Sequence, residues 1–102
     1  MQKYFTHAPV TVTTAGTRKR LRNTSLPATD IVIMADPGNS DPIYVGDDTV
    51  TAANGIPLAA GETYVISTPA IRGNQEDFDL ADVYLDADAN GMIARVSYVS
   101  RR

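Results

Sequence analysis

The 102-residue chain contains no cysteine and no tryptophan, and it has a single histidine. Without cysteine there is no disulfide framework, no thiolate metal site and no cysteine nucleophile, and redox compartment leaves no mark on the sequence. With His7 alone, neither a histidine metal cluster nor a two-histidine acid–base pair can form. A serine-histidine-carboxylate triad would have to use His7, which lies in a terminal segment with no nucleophile motif around any serine; an exposed terminal histidine is expected instead. No apolar run reaches the length of a membrane span, so no membrane partner is expected. The opening MQKYFTHAPV lacks the apolar centre of a signal peptide, which predicts synthesis in a cytoplasm with any later destination reached by assembly. Repeats, linkers and low-complexity segments are also missing.

What is present favours short strands. Apolar residues make up 43% of the chain, enough for one modest core in one domain over 1–102. Threonine and valine are abundant, seven glycines and six prolines punctuate the chain, and good helix formers rarely cluster. Alternation predicts strands at 8–14 (APVTVTT), 18–22, 42–46 (PIYVG), resuming at 49–51, and 62–68 (ETYVIST), with two more between residues 82 and 100. The run Ile31-Val32-Ile33-Met34 reads as a strand buried on both faces. Residues 72–79 are polar and read as a surface loop, and Asp79-Leu80-Ala81-Asp82 offers one helical turn at most. Counted together, about seven or eight short, mainly antiparallel strands predict an all-β sandwich or small barrel, with residues 1–8 as an extended N-terminal arm or part of the first strand.

Residues 86–91, DADANG, match the opening of an EF-hand loop: oxygen ligands at alternate positions, then a glycine. The twelfth position is Ser97, which cannot supply the bidentate carboxylate that closes the cage, and the flanks are β-branched rather than helical. The expectation is therefore a hairpin with Asn90-Gly91 in a type I′ turn and with Asp86 and Asp88 ending a strand in solvent. The loops DPGNSDP and AANGIPLAAGE lack phosphate-cradle spacing, and turn geometry accounts for their glycines. Structural turns are expected at Gly46, Asn54, Gly55, Gly61, Asn90 and Gly91. The acidic set Glu76, Asp77, Asp79, Asp82, Asp86 and Asp88 could offer a carboxylate pair, but a chain this small has little room for a cleft between them, and solvated charge is expected. The sequence thus predicts no enzyme, no cofactor and no metal site.

The segment Arg18-Lys19-Arg20-Leu21-Arg22 puts four cations within five residues. As a strand it would place Arg18, Arg20 and Arg22 on one face and Lys19 and Leu21 on the other. Such a strip attracts phosphates or an acidic protein surface, or merely protects an edge strand. Nucleic acid is disfavoured, because no aromatic is interleaved and the net charge is −3. Arg18, Lys19, Arg20 and Arg22 are the candidate partner-docking residues, with Arg101 and Arg102 as lesser ones. A basic start and an acidic stretch near residue 80 would suit head-to-tail association with an acidic neighbour.

The stretch DPIYVGDDTVTAANGIPLAAGETYVI resembles a segment carried by small structural proteins of tailed bacteriophages. The matching elements are Ile43, Tyr44, Val45 and Gly46, then Val50 and Thr51, Asn54-Gly55, Pro57-Leu58, and Gly61-Glu62. VTVTTAGTRKRLRNTSLPATDIVIMAD upstream and DLADVYLDADANGMIARVSYV downstream resemble the strands that flank it, so the resemblance covers roughly residues 10–100. It rests on turn glycines and core aliphatics and implies no catalysis. It implies a virion β-domain: a capsid decoration (cement) protein bridging capsid subunits, or alternatively a tail, baseplate or fibre module binding another virion protein or a host-surface glycan. The expected partners are the major capsid protein or other virion proteins, and a homo-oligomer, with a trimer favoured, is expected within the virion.

Overall fold

The computed structural model describes residues 3–67 and 78–100. Ten strands run in chain order: β1 (Lys3–Val12), β2 (Lys19–Arg20), β3 (Pro27–Ala28), β4 (Asp30–Ala35), β5 (Ile43–Gly46), β6 (Ile56–Leu58), β7 (Thr63–Ser67), β8 (Phe78–Asp79), β9 (Tyr84–Ala87) and β10 (Met92–Ser100). They form two four-stranded sheets, β1-β10-β4-β7 and β2-β9-β5-β6, and a small β3-β8 pair. Every pairing is antiparallel. The protein is an all-β sandwich. Its strand count exceeds the seven or eight expected because β3, β6 and β8 have only two or three residues each, too short for an alternation pattern, and β6 lies within the expected AANGIPLAAGE loop.

Alternation decides what each sheet buries. In β4, Ile31, Ile33 and Ala35 are fully buried, while Val32 and Met34 between them are only half-buried on the outer face. The four-residue apolar run is therefore buried on one face, not two. Ile33 sits opposite Val96 of β10, and Val10 and Val12 of β1 complete that layer beside Ala94 and Met92. From the other sheet, Ile43, Val45, Leu58, Leu85 and Leu21 meet them in one core cluster. Leu80, in a single 3-10 turn at Leu80–Asp82, closes the core near β3. That turn starts at Asp79, whose carboxylate accepts from the Ala81 N–H as an N-cap.

Several local expectations are corrected. Residues 3–8 do not form an arm: they belong to β1, paired with β10 from Lys3↔Ser100 to His7↔Val96, with a bulge between His7 and Val10. Residues 49–51 do not resume a strand; they form a turn that buries Val50. Gly46 and Gly55 exist for that turn. A Cβ on Gly46 would lie 2.8 Å from the Val50 side chain, and one on Gly55 would lie 2.7 Å from both Val50 and Tyr44. Asn54 supports the same turn, its side chain accepting from the Thr51 N–H and donating to the Thr49 carbonyl. Gly61 and Gly91 serve differently, at φ of +84° and +82°.

The largest correction concerns residues 84–100. β9 and β10 do not form a hairpin. β9 pairs with β5 and β2, β10 pairs with β1 and β4, and the Asp88–Gly91 loop carries the chain from one sheet to the other. Only Gly91 has positive φ, so the turn is not type I′. Asp86 is not in solvent either: it is 4% exposed. Its Oδ1 accepts from the Gly16 N–H at 2.9 Å and from the Ala87 N–H at 2.8 Å. Residues 72–77 of the expected surface loop, and Arg101 and Arg102, lie outside the described residues.

Candidate functional site: a basic cleft at the open edge of the sandwich

The basic segment becomes a strand only at Lys19–Arg20, paired with β9 as Lys19↔Leu85 and Arg20↔Tyr84. Its predicted two-sidedness holds only over residues 19–21, since Arg18 and Arg22 lie outside β2. Leu85 and Leu21 are buried, which fixes Lys19 and Leu21 on the core-facing side and Arg20 with Tyr84 on the outer side. β2 ends one sheet and β1 ends the other, so the sandwich is open along this side. Between the two strands lies a cleft of about 510 Å³. His7, Pro9, Val10 and Thr11 line one wall, and Lys19, Arg20, Leu21 and Arg22 the other.

The cations play unequal parts. Arg18 donates from Nε to the Val50 carbonyl at 2.9 Å, fastening the segment to the turn after β5. Arg20 donates from Nε to the Ala81 carbonyl at 3.0 Å, and its guanidinium lies over the Tyr84 ring at 5.6 Å. Arg22 donates to Thr24 Oγ1 at 3.1 Å on an exposed loop. Lys19 is exposed and makes no ion pair or hydrogen bond among the described residues.

Carboxylates stand near Arg18 and Arg20. Asp47 is held below the usual carboxylate range, first by the Thr49 hydroxyl and N–H groups and then by the charge of Arg18. Partial burial pushes Asp79 up, but hydrogen bonds from Ser25, Leu26 and Ala81, together with the charge of Arg20, bring it below its ordinary value. Folding therefore sets acids from residues 47 and 79 beside the basic segment. Among the described residues no carboxylate pairs with Lys19 or Arg22 at the cleft.

The remaining candidates are occupied structurally. Within DADANG, Asp86 binds Gly16, Asp88 Oδ2 accepts from the Tyr44 hydroxyl at 2.8 Å, and Asn90 Oδ1 accepts from the Ala15 N–H at 2.8 Å. The loop oxygens clamp the 14–17 turn and β5 instead of converging on a cation. The Asp88 bond also raises the Tyr44 hydroxyl pKa. No group of three or more metal-ligating side chains occurs among the described residues. His7 is half-buried rather than an exposed terminal residue: its ring meets Tyr98 edge-on at 6.5 Å, and Nδ1 lies 2.7 Å from the Ala8 carbonyl. Among the described aromatic residues Phe78 alone is exposed, at 38%.

The sequence found the cations but missed what organises them. The Ala81 carbonyl lies 61 positions from Arg20 and the Tyr84 ring farther still, while the β1 wall comes from the preceding strand, and no local pattern signals those contacts. No family model, curated protein or solved structure matches the chain.

Proposed function

We propose that this protein is a non-enzymatic structural component of a tailed-bacteriophage virion, a capsid decoration protein that bridges capsid subunits. It is made in the host cytoplasm, reaches the particle by assembly, and works there as a homo-oligomer on the major capsid protein. The observation that carries the reading is the basic cleft at the open sandwich edge, where among the described residues Lys19 and Arg22 stand without opposing carboxylates on an otherwise acidic protein. Such a strip complements an acidic protein surface and fixes its orientation. The bacteriophage assignment itself rests on the resemblance of residues 10–100 to phage structural proteins. The half-buried tyrosines favour docking over glycan recognition, which uses exposed aromatic faces.

Quantitative mass spectrometry of purified virions tests the proposal. Copies in a small integer ratio to the major capsid protein are expected. A copy number matching the tail proteins would replace the decoration role with the tail, baseplate or fibre alternative. Absence from particles would sink both.

A further inference from the structure

We infer that the cleft between β1 and β2 seats one extended, acidic peptide segment of the docking partner, and that Lys19 receives a carboxylate inside it. This rests on the docking reading above and specifies its partner chemistry. Lys19 shares the core-facing side of β2 with the buried Leu21, and its cross-strand neighbour Leu85 is fully buried. A lysine there can stay exposed only because the sandwich is open at this edge, so the ammonium projects into the cleft.

Three features select the occupant. Among the described residues the cleft is lined by Lys19, Arg20 and Arg22 and by no aspartate or glutamate, which calls for anionic side chains. The Arg20 guanidinium is held on the outer side by the Ala81 carbonyl and the Tyr84 ring, which fixes β2 as the second wall of the cleft. Both walls are terminal strands with an apolar base at Val10 and Leu21, a shape suited to an extended chain rather than a helix. Pro9 and the bulge between His7 and Val10 interrupt the β1 edge, so recognition falls to the side-chain charges more than to a continuous backbone ladder. Nucleic acid fits less well, since among the described residues no phenylalanine, tyrosine or tryptophan lines the cleft to stack a base.

The rival role for an inward-facing edge lysine is to block edge-to-edge pairing. The test separates the two. A fluorescein-labelled dodecapeptide of alternating glutamate and serine is titrated with the full chain and followed by anisotropy at low and high salt. Binding that weakens with salt is expected, and Lys19→Glu with Arg22→Glu should weaken it by about tenfold or more. Both side chains are exposed, and an unchanged melting curve verifies that the variant folds. Equal binding by the variant, or equal binding of a lysine–serine peptide or oligo(dT), overturns the inference. So does Lys19→Ser if it self-associates while still binding the acidic peptide at full strength. Copy number of the double variant on particles keeps the two proposals apart. Lost incorporation with peptide binding indifferent to the charges refutes the cleft occupant but leaves docking standing. Normal incorporation with peptide binding lost refutes docking through this strip and leaves a peptide site.

Discussion

Replacing Asp86 should destabilise the fold more than any other exchange of an acidic residue in the 79–88 stretch. The carboxylate is 4% exposed, and one of its oxygens accepts from the Gly16 and Ala87 N–H groups. Asp86→Ala removes the acceptor and leaves the partly buried Gly16 N–H without its partner. A hydrogen bond to a charged group contributes about 1.5–3 kcal/mol. Removing a buried charge returns part of its desolvation cost, which places the net loss near ~2 kcal/mol. For a domain of about 100 residues that corresponds to a fall in Tm of roughly 10 °C. Asp86→Asn keeps an acceptor oxygen and should cost about half as much. Urea denaturation gives the stabilities, and amide hydrogen exchange at Gly16 reports the bond directly. If Asp86→Ala lies within about 0.5 kcal/mol of the parent, or if Gly16 stays equally protected, the buried-acceptor argument fails.

Other outcomes follow from the same geometry. Gly55→Ala should destabilise by about 1–3 kcal/mol through overpacking against Tyr44 and Val50, and a Val50→Ala background should recover part of that loss in chemical denaturation. Arg20→Ala should lower Tm measurably by freeing the Ala81 carbonyl and uncovering Tyr84, whereas Lys19→Ala and Arg22→Ala should leave Tm unchanged in differential scanning calorimetry. Asp36 is depressed by the Gly38 N–H and by Arg95, and Asp47 and Asp79 are depressed as described above. Because the folded pKa values lie below the unfolded ones, their stabilisation is present above the ordinary carboxylate value near 3.8 and is lost as pH falls through the folded values. Denaturation midpoints should hold steady at neutral pH and drop on acidification below that value, with a shallower drop for Asp79→Asn.

The fold class was legible because alternation is a local signal. Ile43 and Val45 flank the half-buried Tyr44, and Tyr64 and Ile66 flank Val65, which is 53% exposed, as their spacing predicts. Pairing was not legible. Asn90-Gly91 is a strong hairpin signal, yet β9 and β10 find better partners in opposite sheets, and turn residues do not reveal which strand lies across the core. The burial of Asp86 escaped for the same reason, since its partner Gly16 is 70 positions away. Of the candidate site, the charges of residues 18–22 and the two faces of residues 19–21 could be read from the sequence. The tethering of Arg18 and Arg20, which leaves Lys19 and Arg22 available, could not, because it depends on Val50, Ala81 and Tyr84 arriving from elsewhere.

The pairing of β1 with β10 bears on how the molecule is made. Lys3 meets Ser100 and Val12 meets Met92, so the first strand waits for the last before it acquires any ladder partner. β10 also separates β1 from β4, and the four-stranded sheet cannot close until that strand has left the ribosome. Closing so long a loop is entropically costly, and topologies dominated by such contacts fold in milliseconds to seconds rather than microseconds. Until β10 emerges, β1 has no ladder partner, and β4 can pair on one side only, with β7. Stalling translation with C-terminal linkers too short, and then long enough, to bring residue 100 out of the exit tunnel, and probing protease resistance at each length, should show native-like protection arriving in a single late step.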